Sequence, residues 1–192
     1  MTRNQKMAVF LDRDGTINEE MGYINHLSRF RLLPRAAAGI ARLNRAGVKV
    51  LVVTNQSGVA RGYFPPRLVE EVHARLTDLL AAEGAWVDGI YVCLHGPQEG
   101  CTCRKPQPGL LLRAAAEHGL DLGRCYLVGD RHNDLLTAAG VGVKGILVLT
   151  GYGLGEWELF GDTWEVKPWA VAADLEEAAR LILRDLGLPC EP

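Results

Sequence analysis

Residues 7–16 read Met-Ala-Val-Phe-Leu-Asp-Arg-Asp-Gly-Thr, an apolar run that ends in two closely spaced carboxylates. Five consecutive apolar residues without polar alternation predict a short strand that is buried on both faces. Asp12 and Asp14 follow its carboxyl end, where their charges repel, so holding both requires a divalent cation or a shared proton. Because Asp-Gly is also a common turn pair, a plain turn with an aspartate cap remains open from this stretch alone.

The rest of the chain repeats such apolar runs, separated by segments with helical periodicity. Further strands are predicted at 48–53, 90–94, 125–128 and 146–149, and helices at 34–46, 65–83, 109–118, 133–139 and 175–186. This alternation predicts an α/β fold built on a doubly wound parallel sheet, with helices on both faces.

A length of 192 residues, of which 48% are hydrophobic and 23% charged, is the size and composition of one globular domain. We expect a single domain over residues 1–192, with a core at about 7–150 and a closing strand and helix at about 165–187. This length leaves no room for a large cap domain over the core.

Polar residues gather where the predicted strands end, which is where ligands bind in doubly wound sheets. Residues 54–57, Thr-Asn-Gln-Ser, follow the second strand, and their hydroxyl and amide groups suit a phosphoryl oxygen. Asp130 and Asp134 follow Gly129 and could complete, with the first pair of aspartates, an oxygen ligand set for magnesium. A polar turn in the first case and N-capping of the next helix in the second are the alternatives.

All five cysteines follow residue 92, and three of them lie between positions 93 and 103. Cys93-x-His95 and Cys101-x-Cys103 form two ligand pairs separated by five residues, which matches a tetrahedral zinc site without an open position. The sequence therefore predicts a structural zinc loop at 93–103, the alternative being free thiols beside an unrelated histidine.

Two cations, Arg104 and Lys105, directly follow this loop, and two prolines after them stiffen the chain. Cations fixed at a ligand edge neutralise phosphate, and arginine adds a bidentate geometry. The alternative is an ordinary solvated pair. By contrast, His73 lacks a ligand-spaced partner, and we expect it at the surface.

The net charge of −2, from 21 basic and 23 acidic residues, provides no positive field for nucleic acid. The polar first six residues lead into only five apolar ones, too few for a signal peptide, and no run approaches the ~18 apolar residues of a membrane span. We therefore expect a cytoplasmic chain without nucleic-acid or membrane partners. In that reducing compartment clustered cysteines more often bind metal than pair.

Four of these segments occur in the order of the four motifs of the haloacid dehalogenase (HAD) phosphatase superfamily, and the resemblance covers about residues 7–150. The matching segments are Asp12-Arg-Asp-Gly-Thr-Ile-Asn18, Thr54, Lys105 and Gly129-Asp130. Within the superfamily, residues 54–64, the zinc loop and residues 103–109 resemble the D-glycero-D-manno-heptose 1,7-bisphosphate 7-phosphatases. The histidinol-phosphate phosphatases share the zinc loop and are the near relatives to exclude.

The resemblance implies a magnesium-dependent phosphatase that acts through an aspartyl-phosphate. Asp12 would attack phosphorus, and Asp14 would protonate the leaving sugar oxygen and then deprotonate the hydrolytic water. Magnesium would be held by the Asp12 carboxylate, the Asp14 backbone carbonyl and Asp130. Thr54 and Lys105 would hold the phosphoryl oxygens as charge shifts.

The resemblance also implies a small phosphosugar as substrate, on the route to nucleotide-activated heptose for lipopolysaccharide or other surface glycans, and a chain that we expect to be monomeric. The implied substrate-binding residues, besides Thr54 and Lys105, are Glu20, Met21, Gly22, Tyr23, Asn55, Gln56, Ser57, Arg104 and Arg131.

Two departures from the heptose phosphatase pattern bear on the substrate. The short zinc loop is nearer to the histidinol-phosphate relatives, and position 131 is Arg where Lys is common. Residues 58–64 nevertheless favour the heptose substrate. Histidinol-phosphate hydrolysis is the alternative, and a catalytically silent, zinc-stabilised binding domain is the alternative of another class.

Overall fold

The computed structural model describes residues 6–189, in which six parallel strands form one sheet in the order β3-β2-β1-β4-β5-β6. The strands are β1 (Ala8–Leu11), β2 (Lys49–Asn55), β3 (Gly89–Cys93), β4 (Tyr126–Gly129), β5 (Lys144–Val148) and β6 (Ala170–Ala172). The chain builds outward from β1 to one side and then, from β4 on, to the other. The α/β class and the doubly wound parallel sheet are thus confirmed.

Six helices connect or follow the strands. They are α1 (Ala36–Arg45), α2 (Pro66–Ala82), α3 (Gly109–His118), α4 (His132–Ala139), α5 (Gly153–Phe160) and α6 (Leu175–Asp185). The pattern of apolar residues predicted all of these helices except α5. That helix reads Gly-Leu-Gly-Glu-Trp-Glu-Leu-Phe, and its two glycines and irregular apolar spacing hide it from a periodicity argument.

The two faces of the sheet are buried against different helices. On β1, Val9 and Leu11 pack into a cluster with residues of α1, α2 and α6, whereas Ala8 and Phe10 pack into a second cluster with residues of α3. Alternate residues of one strand point to opposite faces, so a strand that is covered on both faces must be apolar throughout. This is why the first strand reads as an unbroken apolar run.

Within residues 6–189, loops stand over the carboxyl ends of the central strands. The connection from β1 to α1, residues 12–35, contains one short 3-10 turn at Leu27–Arg29, and residues 94–108 between β3 and α3 contain neither a helix nor a strand. β6 and α6 lie within the segment 165–187, where a closing strand and helix are predicted. Across residues 6–189, no helix has the length and apolarity needed to cross a membrane.

Candidate active site

The carboxyl ends of β1, β2 and β4 open into one cleft of about 300 Å³. The order of the strands reverses between β1 and β4, and such a reversal leaves a crevice at the sheet edge. The predicted site residues that line the cleft are Asp12, Asp14, Glu20, Gly22, Tyr23, Thr54, Asn55, Gln56, Ser57, Arg104, Lys105, Asp130 and Arg131. Of the predicted substrate-binding residues, Met21 does not line the cleft but lies in a separate groove beside Tyr152.

The buried ammonium group of Lys105 lies between two carboxylates. Its Nζ is 2.9 Å from Asp12 Oδ1 and 2.6 Å from Asp134 Oδ1. Burial alone would lower the pKa of Lys105, but the two carboxylates outweigh burial and raise it above its ordinary value. Lys105 is therefore a fixed positive charge beside the oxygen of Asp12.

The backbone of Lys105 is held by the side chain of Asn55. Asn55 Nδ2 donates to the carbonyl oxygen of Lys105, and the amide of Lys105 donates to Asn55 Oδ1, both at 3.1 Å. Asn55 lines the cleft, but both polar atoms of its amide are used in fixing the lysine.

Three carboxylates converge in the cleft. Single oxygens of Asp12, Asp130 and Asp134 all lie within 4.8 Å of one another. Burial raises the pKa of Asp12 to about 7, and burial together with its acidic neighbours raises that of Asp130 to about 8. A divalent cation would offset the cost of ionising this pair near neutral pH, so the donor set fits magnesium.

The backbone packs tightly around Asp130. A Cβ atom added at Gly15 would lie 2.1 Å from Asp130 Oδ2, and one added at Gly151 would lie 2.2 Å from it. The amide of Tyr152 donates to the same oxygen at 2.9 Å, and Thr150 Oγ1 donates to the carbonyl of Gly15 at 2.6 Å. The segment after β5 therefore fixes Asp130, a role that the sequence does not reveal.

The two carboxylate oxygens of Asp134 accept from different donors. Besides accepting from the ammonium of Lys105, it accepts at Oδ2 from the amide of Arg131 at 3.2 Å, at the start of α4. The capping alternative for Asp134 thus has a structural basis, and the same carboxylate is near enough to Asp12 and Asp130 to face a shared cation.

The carboxylate of Asp14 is held by three donors. The guanidinium of the buried Arg13 approaches its two oxygens at 2.8 and 2.9 Å, and Asn18 Nδ2 and Gln56 Nε2 donate at 2.9 and 2.7 Å. Burial alone would raise the pKa of Asp14, but the charge of Arg13 and the three donors outweigh burial and hold the pKa below its usual value. Asp14 is therefore ionised in this arrangement.

Arg13 is only 1% exposed and is a site residue that sequence reasoning missed. Its Nη1 lies 3.2 Å from Nε2 of His73 on α2. Since a guanidinium only donates, Nε2 of His73 accepts and the ring is neutral. Burial and the charge of Arg13 lower the pKa of His73 to about 4. The expectation of a surface histidine was wrong, because this ring is half-buried against Arg13.

Gln56 links two predicted catalytic residues. Its Nε2 donates both to Asp14 and, at 2.9 Å, to the hydroxyl oxygen of Thr54, which is 1% exposed. Because this hydroxyl accepts from Gln56, its own hydrogen is available to another acceptor in the cleft. Thr54 can thus donate to a phosphoryl oxygen.

The four predicted zinc ligands come together at the end of β3. The contacts between Cys93, His95, Cys101 and Cys103 range from 3.2 to 3.7 Å. Ligands at the usual zinc distances are about 3.5–3.8 Å apart in a tetrahedron, so the cluster fits one zinc ion. Burial raises the pKa of the Cys93 thiol to about 12, and a bound cation would favour its thiolate.

Three aromatic rings pack together beside the cleft, which Tyr23 lines. The ring of Tyr23 meets that of Tyr63 edge-on with centroids 4.8 Å apart, and Phe64 lies 6.5 Å from Tyr23. A Cβ atom at Gly58 would lie 2.3 Å from the Phe64 ring, so only glycine permits this packing. Residues 58–64 therefore support the loop that carries Glu20 to Tyr23.

The chain is similar to known phosphatases. The HAD-hydrolase-like family profile matches residues 102–178. The D-glycero-beta-D-manno-heptose-1,7-bisphosphate 7-phosphatase of Pseudomonas aeruginosa is 45% identical over 150 residues, which are 78% of this chain and 84% of that protein. The protein of the same name from Photorhabdus laumondii is 38% identical over 193 residues, covering 94% and 91% of the two chains.

The chain belongs to the heptose bisphosphate phosphatase family of HAD-like hydrolases. A crystal structure of the D,D-heptose 1,7-bisphosphate phosphatase from B. bronchiseptica, complexed with magnesium and phosphate, is also similar. It superposes with a TM-score of 0.86 at 36% identity, over 94% of this chain and 99% of that one. Members of the heptose bisphosphate phosphatase family are enzymes, and the present chain is a phosphoric monoester hydrolase by this membership.

Proposed function

We propose that this chain hydrolyses the C7 phosphate of D-glycero-D-manno-heptose 1,7-bisphosphate and releases the heptose 1-phosphate. The observation that carries the proposal is the contact of Asp12 with the buried ammonium of Lys105, in the cleft that also holds Asp130. An anionic nucleophile beside a fixed cation suits attack on a phosphate, because the cation stabilises the charge that develops on the phosphoryl oxygens. The sugar assignment follows the names of the relatives.

The first step is attack of an Asp12 carboxylate oxygen on phosphorus, which breaks the bond between phosphorus and the C7 oxygen. Asp14 gives its proton to that oxygen, and an aspartyl-phosphate remains. In the second step Asp14 takes a proton from water, the water oxygen attacks phosphorus, and inorganic phosphate leaves with Asp12 restored. Thr54 and Lys105 hold the phosphoryl oxygens in both steps.

Before substrate binds, the environment of Asp14 favours the ionised carboxylate, which is the form that the second step requires. Arg13 and the amides of Asn18 and Gln56 keep this carboxylate ionised, as a base requires. A phosphate dianion in the cleft adds negative charge beside Asp14, which raises its pKa and favours the protonated form needed for the first step.

Magnesium would be held by the carboxylates of Asp12 and Asp130 and by the backbone carbonyl of Asp14. When bound there, the cation reduces the repulsion between the nucleophilic carboxylate and the phosphate. The raised pKa values of Asp12 and Asp130 support this assignment, because both groups need a positive neighbour to be ionised together.

A structural zinc ion in the 93–103 loop complements this centre. Cys103 is separated from Lys105 by a single residue, so a zinc ion on the loop would restrain the chain that carries the catalytic ammonium. Thiolate ligands persist in a reducing compartment, which supports a cytoplasmic location. The groups assigned to both steps belong to one chain, so a monomer is sufficient for the reaction.

The remaining predicted residues line the cleft around this centre. Glu20, Tyr23 and Ser57 offer groups for the sugar, while Arg104 and Arg131 offer charge for the phosphate that is not cleaved. The single domain, with its core at 7–150 and the closing segment at 165–187, leaves the choice of substrate to these loops.

Phosphate release from the heptose bisphosphate and from histidinol phosphate, measured side by side with magnesium, tests the proposal. We expect a higher kcat/KM on the bisphosphate and near-zero turnover for Asp12→Asn. A higher kcat/KM on histidinol phosphate would replace the substrate. Equal, near-zero rates for the wild type and Asp12→Asn would indicate a silent binding domain instead.

A further inference from the structure

The guanidinium of Arg131 stacks on the ring of Tyr152. Its Cζ atom lies 3.9 Å from the centroid of that ring, and both side chains line the cleft. Arg131 directly follows Asp130, while Tyr152 lies in the segment after β5 and donates its own amide to Asp130. The two residues that flank Asp130 in space are thus also in contact with each other.

A second group restrains Arg131 from the same side. One carboxylate oxygen of Glu156, on α5, lies 3.8 Å from Nε of Arg131. The other carboxylate oxygen accepts from the backbone amide of His132 at 2.8 Å. Glu156 is therefore anchored at the start of α4. Together with the ring of Tyr152, it limits the conformations that Arg131 can adopt.

This arrangement leaves the guanidinium ready for an anion. When the flat face of a guanidinium stacks on a ring, its N–H groups point outward along its edge. Two of them can then donate to two oxygens of one phosphate. Its side chain remains 43% exposed, so an anion at the mouth of the cleft can reach it. Restricting the side chain before the ligand arrives also reduces the entropy that is lost on binding.

Another cation of the cleft is already engaged. Lys105 contacts Asp12 and Asp134 and is 4% exposed, which confines it to the reacting phosphate. A substrate with two phosphates requires a further positive group at a distance from the nucleophile. Arg131 meets this need and is 43% exposed.

We propose that Tyr152 is a positioning residue that presents Arg131 to the phosphate that is not cleaved, and so sets the preference for sugar bisphosphates over sugar monophosphates. The inference rests on the proposed function and deepens it. It also gives a reason for arginine at position 131, since a lysine would keep the charge but lose both the planar stack and the bidentate donors.

The test compares the heptose 1,7-bisphosphate with the heptose 7-phosphate, which lacks the second phosphate. For Tyr152→Ala we expect the ratio of kcat/KM on the bisphosphate to kcat/KM on the 7-phosphate to fall about tenfold. The fall should come from a higher KM for the bisphosphate, with kcat retained. Tyr152→Phe keeps the ring and should restore the wild-type ratio. Leu154→Ala, at an exposed position in the first turn of α5, is the matched control.

A double-mutant cycle separates this role from a general loosening of the site. If Tyr152 acts through Arg131, then Tyr152→Ala should reduce the ratio no further in an Arg131→Met background. Effects that multiply in the double variant would overturn the inference. So would an equal loss of kcat on both substrates, which would indicate damage at Asp130.

The proposed function and the inference fail in different ways. If the wild-type chain hydrolyses neither sugar phosphate, the proposed function is wrong and the inference falls with it. If the wild type prefers the bisphosphate and Tyr152→Ala keeps that preference, the inference alone is wrong.

Discussion

Asn55 forms two hydrogen bonds with the backbone of Lys105, one to its carbonyl oxygen and one from its amide, each 3.1 Å long. This pair joins the end of β2 to the loop that follows the Cys93–Cys103 cluster. It fixes the main chain from which the ammonium of Lys105 reaches Asp12. The position of the Lys105 ammonium beside Asp12 thus depends on a residue that itself carries no charge.

Replacing Asn55 with alanine should reduce kcat about 10- to 100-fold, because a small displacement of Lys105 misaligns it with the phosphoryl group. Steady-state kinetics on the bisphosphate with saturating magnesium would measure the effect. Asn25→Ala provides the control, since Asn25 is exposed and its side chain accepts from Arg29. An Asn55→Ala variant with the kcat of the wild type would contradict this role.

Asp130→Asn should stabilise the magnesium-free protein while abolishing catalysis. The folded pKa of Asp130 is about 8, above its unfolded value, so this carboxyl binds protons more tightly in the folded state. Stability from this group is present at low pH and is lost as the pH rises from about 4 to about 8. We expect the substitution to raise the free energy of unfolding at pH 8, because an amide, unlike the carboxyl, has no proton to lose when the chain unfolds.

Thermal denaturation with and without magnesium measures this effect. Magnesium should raise the Tm of the wild type, and more so as the pH rises, but should leave the Tm of Asp130→Asn unchanged. Asp121→Asn, at an exposed aspartate of a short turn, is the control. A variant that is less stable than the wild type in magnesium-free buffer at pH 8 would contradict the assigned electrostatics.

His73 should titrate well below an ordinary histidine, with a pKa of about 4. Its folded pKa lies below the unfolded value of 6.5, so the stability that it contributes is present above pH 6.5 and is lost as the pH falls towards 4. NMR titration of the ring measures the pKa directly. A midpoint above 6 would mean that the ring does not accept from Arg13.

A His73→Gln variant should flatten the loss of stability between pH 6.5 and 4, because glutamine keeps an acceptor for Arg13 but does not titrate. His26→Gln, at an exposed position, is the control for the effect of losing a titrating histidine elsewhere in the chain. Equal pH dependence of stability in the wild type and His73→Gln would count against the prediction.

Cys101→Ser should lose zinc and thermal stability together, because a zinc ion on this cluster would tie the 93–103 loop to the end of β3. Metal analysis should find about one zinc per chain in the wild type. Cys125→Ala is the matched control, since Cys125 is a buried thiol packed among apolar residues outside the cluster. A metal-free wild-type protein of unchanged stability would remove the basis for a structural site.

Patterns along the chain predicted the residues whose positions follow from the sheet. Asp12, Thr54 and Asp130 each lie at the end of a strand, and parallel strands bring their carboxyl ends to one edge. The convergence of Cys93, His95, Cys101 and Cys103 likewise follows from their spacing. The fold class and these strand-end groups could therefore be predicted from the sequence alone.

Residues that act through tertiary contacts left no such pattern. Arg13 lies between two aspartates, and no pattern in the sequence marks it as buried, yet it pairs with Asp14 and meets His73. Tyr152 is separated from Arg131 by 21 positions, and its glycine-rich surroundings hide the helix that follows. Their roles depend on the way distant segments pack, which neither periodicity nor spacing encodes.

The most direct test of the central claim is ³¹P NMR of the heptose 1,7-bisphosphate during turnover with magnesium, for the wild type and Asp12→Asn. For the wild type we predict that the C7 phosphate signal disappears, inorganic phosphate appears and the C1 phosphate signal persists. For Asp12→Asn we predict an unchanged spectrum. Loss of the C1 phosphate, or turnover by Asp12→Asn at the rate of the wild type, would contradict the account.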